Sequence, residues 1–332
     1  MSEKSHVTIL DVAAHAGVSS ATVSRVLAGA EYVSEVTRAR VQHSIEELNF
    51  QPSSIAQALR RQHSAVIGLI VTDIQNPYYP ELVRGIEDSA QRLGYSILLC
   101  NSDEDPIREA TYLDLLNSQR VDGVIVCSDS FLDRHRKRLL GLRAKVVLVD
   151  TESGESDIPS ISNDGFRGGQ MAARHLIDSG YPEIVYLGSH REDRAHSQRY
   201  AGVRSGAGDN LVHYLQAGDS LPSGRDVAIE ATKRIAIPFG IAAHNDLAAI
   251  GAIRGLQSIG INVPGQVGVI GYDDIAMSEY VTPGLTTIRQ HQYDMGTEAM
   301  VLMEGLIDGT DIPHYLIVSA ELIIRESTMK IN

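Results

Sequence analysis

Apolar residues recur at helical spacing through the first sixty positions and in short unbroken runs after that. Val12, Ala13 and Ala16 make one face of a short helix opened by Thr8 and Asp11, the hydroxyl accepting from a free backbone N–H and the acid suiting the positive helix end. Gly17 ends it, because glycine tolerates positive φ, and Val18 plugs the turn. Ser19 caps a second helix predicted over 20–28, with Val23, Val26 and Leu27 facing inward. A third helix runs from Ser34 to about Leu48 on Val41, Ile45 and Leu48, and Asn49 closes it. Pro52 precedes a further short helix over 53–59, too short to be stable alone. Its Ile55, Ala56 and Leu59 have little to pack on in one chain, which predicts a segment that orders against DNA and a second copy of itself.

Two short helices joined by a Gly-containing turn are the helix-turn-helix pattern, whose second helix enters the major groove. The outward positions of that helix, Ser20, Ala21, Thr22, Ser24 and Arg25, are small or hydrogen-bonding. Small residues let the backbone approach base edges, and Arg25 can hold a guanine through two hydrogen bonds, worth about 1–3 kcal/mol of discrimination. Ordinary polar residues on a solvated helix would look the same, and the segments that follow decide against that reading.

The run TILDVAAHAGVSSATVSRVL, followed by VS, TR, ELNF and the AQ.L tail, resembles the N-terminal headpiece of the lac repressor family of bacterial regulators over nearly all of residues 7–61. In that family the tail is a hinge helix whose leucine wedges into the minor groove at the centre of a palindromic double-stranded DNA operator; Leu59 matches it. Base-reading positions fall on Ser20, Ala21 and Arg25. The DNA-facing set the resemblance implies is Thr8, Ser19, Ser20, Ala21, Thr22, Ser24, Arg25, Ser34, Ser54, Ile55, Ala56 and Leu59.

From Ala65 onward the pattern changes. Apolar runs at 66–71, 96–100, 123–127 and 145–150 alternate with helical stretches near 79–93, 106–118 and 133–141. A second series has strands at 184–188, 240–246 and 267–274 and helices near 165–179, 226–235 and 246–259. Continuous apolar strands between helices predict parallel sheets covered on both faces, and two series predict two lobes. Ligands of such sheets lie beyond the carboxyl ends of the strands. Asp73, Asn76, Tyr78, Tyr79, Asp129, Asn245, Asp246, Asp273 and Asp274 fall there, although loop formers and helix caps explain any one of them. DIQNPYYPELVRGIE, RVDGVIV, NDGFRGGQMAARHLIDSGY, HNDLAAIGAIRGL and VPGQVGVIGYDDI are similar to the effector domain of the same family, itself similar to periplasmic sugar-binding proteins. The ribose-type pattern implied for an effector site falls on Asn76, Tyr78, Tyr79, Asp129, Arg199, Asn245, Asp273 and Gln290. The stretch after RYAGV is shorter than the resemblance leads one to expect. No second-lobe aromatic matches the usual stacking ring; Asp219 or Ser220 falls there, and Tyr214 is the substitute.

The expected fold is therefore an all-α helix-turn-helix headpiece with a hinge helix, plus an α/β two-lobed effector domain like a periplasmic binding protein. The expected bounds are 1–50 for the DNA-binding domain, 51–63 for the hinge and 64–332 for effector binding and dimerisation. Charge refines this only slightly. The chain has 29 Lys+Arg against 42 Asp+Glu, a net −13. Residues 1–62 hold six of each, so the whole imbalance lies beyond them, and the front is the only face that phosphate would not repel. Cys100 and Cys127 each end a strand-like run and read as buried free thiols. No apolar run reaches 18 residues and no signal-peptide core opens the chain, which predicts a cytoplasmic protein with no membrane partner. The glycines at 202–208 lack the Lys-Ser/Thr of a P-loop, and the 12 histidines show no metal-ligand spacing; no cofactor and no metal are expected. A ligand-responsive repressor acting as a homodimer is the leading function, without a leucine-heptad tail for tetramers. A sugar-binding or transport component and a sugar-metabolising enzyme are the rivals, disfavoured by the front module and by a pocket of binders rather than an acid–base pair.

Overall fold

The computed structural model describes residues 7–27, 30, 32–50, 63–128, 130–151, 158–189 and 194–329. The chain divides into two compact units, residues 1–64 and 65–332. In the first, helices α1 (Ile9–Ala16), α2 (Ser20–Leu27) and α3 (Glu35–Glu47) enclose a core of Val12, Ala13, Ala16, Val23, Val26 and Val41. The Thr8 hydroxyl accepts from the Asp11 N–H while the Asp11 carboxylate accepts from the Thr8 N–H, and Gly17 ends α1 at φ 62°. Ser34 caps α3 through the Thr37 N–H, and Asn49 turns the chain out of it at φ 50°. The expected 53–59 helix lies outside the described residues, and with it Ser54, Ile55, Ala56 and Leu59.

The second unit holds two six-stranded sheets. The first is built from β1 (Val66–Val71), β2 (Ser96–Asn101), β3 (Gly123–Cys127), β4 (Lys145–Val149), β5 (Ser160–Asn163) and β11 (Tyr315–Val318). They lie in the order β11-β5-β4-β3-β1-β2 and pair parallel throughout. The second contains β6 (Ile184–Gly188), β7 (Val212–Gln216), β8 (Phe239–Ala243), β9 (Val267–Asp273), β10 (Thr286–Arg289) and β12 (Glu321–Ile323), ordered β12-β10-β9-β8-β6-β7. Only β12 runs antiparallel there. Each lobe is a doubly wound sheet whose strand order reverses beside its first strand.

The strands are continuous apolar runs because both faces are covered. In the first lobe α4 (Tyr78–Arg92) and α12 (Gln292–Asp308) bury Leu82, Ile86, Met295, Met300 and Met303 on one face. On the other, α5 (Pro106–Gln119) and α6 (Phe131–Leu140) bury Leu113, Leu116, Phe131 and Leu139. In the second lobe α9 (Leu221–Arg234) and α10 (Asp246–Ser258) cover one face, and α7 (Gly165–Asp178) and α8 (Arg194–Ala207) the other. A single turn, α11 (Met277–Tyr280), precedes β10. The chain passes between the lobes three times: after β5, after β10 and after β11. Tyr272 of the second lobe donates to Asn163 Oδ1 at the first passage, 2.5 Å away.

Strands β5, β7, β10, β11 and β12 are not among the runs expected from the sequence. Each is short, and SISN, VHYLQ and TTIR mix polar with apolar positions. Both cysteines are buried free thiols, Cys127 raised well above its ordinary range by burial.

Candidate functional site

The headpiece exposes most of the residues expected to face DNA. Thr8, Ser19 and Ser34, all exposed, sit at the N-termini of α1, α2 and α3, each accepting from a backbone N–H of its own helix. Helix N-termini of this kind present N–H groups to anions. Ala21 and Arg25 are exposed on α2, with Ser20 and Thr22 partly so, and the Arg25 guanidinium lies 6.0 Å from the ring of Tyr32, itself 79% exposed. Ser24 departs from expectation. It is 6% exposed and its Oγ has no partner among the described residues, so it faces the headpiece core rather than outward. Helix α2 lies across α1 and α3, and its buried face extends from Val23 and Val26 onto the serine between them.

In the second unit the carboxyl ends of both sheets open onto one cleft of about 120 Å³. Asn76, Tyr78 and Tyr79 line it from the first lobe, and Arg199, Asn245, Asp273 and Gln290 from the second. Asp129 lies outside the described residues. Tyr78 and Tyr79 pack edge to face at 5.2 Å, and the buried Tyr78 hydroxyl donates to Asp150 Oδ2 at 2.6 Å. Burial pushes the Tyr78 phenol well above its usual range and the Asp150 carboxylate pushes it further, so it remains a donor.

Arg199 reaches the cleft from α8. Its guanidinium donates to the His244 carbonyl at 2.7 Å and lies 4.0 Å over the Tyr272 ring. Burial alone would favour deprotonation, but Tyr272 and Asp273 outweigh it and the group stays cationic. Asp273, 4% exposed, holds φ 126°, a conformation L residues rarely adopt, of the strained kind that clusters at binding sites. Burial drives its carboxyl well above the carboxylate range, against the pull of Arg199. Gln290 Nε2 donates to Asp273 Oδ1, while Gln290 Oε1 and Arg199 Nε are buried without a partner among the described residues. Buried polar atoms are nearly always paired, so an unpaired donor and an unpaired acceptor on two residues that line the cleft mark a place for a polar ligand.

Asp219, which falls at the expected stacking-ring position, also lines the cleft; the other lining residues were not singled out from the sequence. Thr72 and Ser128 follow β1 and β3, and Ser189 and His244 follow β6 and β8, the two positions where strand order reverses. Asp150 follows β4, and a consistent search of strand ends would have found it. Glu104 and His196 carry no such signal. His244 Nε2 approaches Asp219 Oδ1 at 2.8 Å, and the His196 ring touches Tyr186, Tyr214 and His244. Tyr214 does not stand in for a stacking ring in the cleft: its hydroxyl donates to the Ser189 carbonyl and contacts His196. Other strand-end residues do local work. The Asp73 carboxylate accepts from Gln75 N–H; Asp246 accepts from Ile275, Ser278 and Thr287; Asp274 pairs with Arg289 and Arg325. Asn245 belongs to both groups, lining the cleft while capping α10 through the Ala248 N–H.

A helix-turn-helix module joined to a two-lobed ligand-binding body defines a DNA-binding transcriptional regulator. Comparison with known proteins makes the class specific. The signature described as "Bacterial regulatory proteins, lacI family" matches residues 8–53, and that of the periplasmic binding protein-like domain matches residues 173–328. The HTH-type transcriptional regulator RegA of Clostridium saccharobutylicum is 36% identical over 331 residues, covering 97% of this chain and 99% of RegA. The crystal structure of the lac repressor dimer bound to operator and the anti-inducer ONPF superposes with a TM-score of 0.87 at 26% identity, covering 97% and 99% of the two chains. A LacI family transcriptional regulator from Enterococcus faecium with bound ribose gives 0.72 at 29% identity, over 80% of this chain and all of that one. The chain belongs to the lacI family of bacterial transcriptional regulators and is not an enzyme. No helix among the described residues is long and apolar enough to cross a membrane.

Proposed function

We propose that this protein is a cytoplasmic, homodimeric repressor of a carbohydrate-utilisation operon, whose affinity for a palindromic operator is switched by a small sugar bound between the lobes. The observation that carries the reading is the cleft itself. A strained, buried carboxyl, an unpaired arginine donor and an unpaired amide acceptor converge from one lobe on two tyrosines of the other. Sugars offer a ring of hydroxyls, each both donor and acceptor, which such a set can fill. Carboxyl side chains of Glu104, Asp150, Asp219 and Asp273 line the same cleft, against the single arginine among its described residues, which favours a neutral ligand over a phosphorylated one. The ribose complex of the Enterococcus faecium relative supports the ligand class, and the operator-bound lac repressor dimer supports the mode of action. On this reading Ser20, Ala21, Thr22 and Arg25 meet base edges. Residues 51–63, with Ser54, Ile55, Ala56 and Leu59, form the hinge linking the body to the operator. Ligand closure and operator binding are then coupled through one linkage free energy.

The test is a thermal-shift screen of neutral pentoses and hexoses beside their phosphates, followed by titration of the hit. Arg199→Ala is expected to weaken that hit by ~10–100-fold, the loss of a charged hydrogen bond worth about 1.5–3 kcal/mol, and Asp273→Ala by ~2–10-fold, the loss of a neutral one worth about 0.5–1.5 kcal/mol. A hit whose affinity neither substitution changes would put the effector elsewhere.

A further inference from the structure

One feature of the body is not used by the cleft. Between Arg134 and Lys145 the sequence reads RHRKRLLGLRAK, six Lys or Arg with no acid, in a chain of net charge −13. It covers the last two turns of α6 and the approach to β4. Arg134 is spent on the buried Glu109 at 2.6 Å, and Arg138 on Asp114 at 2.7 Å. Lys137, Arg143 and Lys145 are exposed, and no ion pair of theirs occurs among the described residues. Arg120, exposed at the end of α5, reaches the same end of the sheet.

That end is the one where the chain enters the body. Ala65 donates its N–H to the Asp122 carboxylate at 2.7 Å, and Lys145 donates its N–H to the Asp122 carbonyl at 3.1 Å. In the sheet register Lys145 of β4 pairs with Gly123 of β3, which pairs with Ile67 of β1. Lys145 therefore stands two strands, about 10 Å, from the point at which the chain enters the body, with Arg143 two residues before it. Phe50 to Ala65 is fifteen residues, at most about 50 Å when extended. A tether of that length allows DNA held by the headpiece to reach this face.

We propose that Lys137, Arg143 and Lys145 form a second, sequence-independent DNA contact that grips phosphates flanking the operator. This goes beyond the effector reading and does not depend on it. The headpiece region is electrically neutral, with six acids and six bases in residues 1–62, and supplies little phosphate attraction of its own. The acid-free run supplies it from the body, so the front is not the only face open to phosphate, contrary to what the net charge beyond residue 62 leads one to expect. An acidic protein partner fits less well, because the run carries no tryptophan, tyrosine or phenylalanine of the kind that anchors protein interfaces.

The full chain with K137Q, R143Q and K145Q together is compared with the unaltered protein on random-sequence duplexes of 60 and 20 base pairs between 50 and 200 mM salt. Each lost phosphate contact removes about 0.9 from the slope of log affinity against log salt. A fall of about 2–3 for each protomer that engages the long duplex, with little change on the short one, is the expected result. The charge-conserving K137R, R143K and K145R set is expected to restore the slope. An unchanged slope on the long duplex overturns the proposal. If the neutral set instead abolishes binding to poly-glutamate while leaving DNA binding intact, the surface serves an acidic protein and the proposal fails. Melting temperatures check that the exposed substitutions leave the fold intact, and a ligand shift lost in Arg199→Ala tests the effector reading separately.

Discussion

Asp246 shows how a single side chain can look functional and be structural. It follows β8 in the run HND, at the strand end where ligands bind, yet it is fully buried and accepts from the Ile275 N–H and the Ser278 and Thr287 hydroxyls. Burial raises its carboxyl to about 6 despite those bonds. The folded pKa lies above the unfolded 3.8, so the stability this proton contributes is fully present below about pH 4 and is lost as pH rises through about 6. Two pKa units correspond to about 2–3 kcal/mol. An asparagine keeps an oxygen for Ile275 and Ser278 and can donate to the Thr287 hydroxyl. Asp246→Asn is therefore expected to gain on the unaltered protein by that order between pH 4 and pH 7, read from urea midpoints; parallel curves would rule this out. Seven residues of the cleft were legible in advance because strand ends and family motifs coincide there. Asp246, Asp274 and Asp73 obey the same positional rule without facing the cleft, since only the fold decides which way a strand-end carboxylate points. Ser24 was misjudged for a related reason: its polarity says outward, while the width of the buried face on so short a helix says inward.

At the level of elements, helix pairs approach closely through glycines. A Cβ on Gly169 of α7 would stand 2.1 Å from the Arg199 carbonyl of α8, and one on Gly202 would stand 2.0 Å from the Phe166 carbonyl. These contacts set the position from which Arg199 enters the cleft. Gly169→Ala must push α8 away, a backbone clash that no side-chain rotation relieves. We expect the variant to lose about 1–3 kcal/mol of stability, the usual cost of overpacking, and to lose effector response more severely than that melting shift alone would cause. An effector affinity unaffected by the substitution would show that α8 does not position the arginine. The long elements were readable from periodicity because burial is uniform along them: the strands at 66–71, 123–127 and 184–188 have the expected bounds. The short strands were not: β7, β11 and β12 lie at sheet edges, where an exposed side lets polar residues in, while β5 and β10 are interior strands whose serines and threonines are buried. SISN and TTIR owe their pairing to neighbouring strands rather than to their own sequence.

At the scale of the whole molecule, the two lobes share strand order and the chain passes between them three times, which the alternation of strands and helices alone did not reveal. Exposed Leu98 and Leu99 on the edge strand β2, together with Ile107 and Leu115 on α5, leave an apolar margin on the first lobe. With the homodimer proposed above, light scattering is expected to give twice the 36.1 kDa chain mass; a monomer at micromolar concentration would contradict it. The threefold passage has a consequence for how the protein is made. Helix α12, whose Met295, Met300 and Met303 fill the first lobe's core, is translated after almost all of the second lobe. At about 5–20 residues per second, the first lobe waits on the order of ten seconds with that face covered by α4 alone. The headpiece, complete within the first fifty residues and with its own core, has no such wait. A nascent chain therefore carries a finished DNA-reading module well before it has a finished sensor, so a ribosome stalled late in the message would leave a reader without a switch.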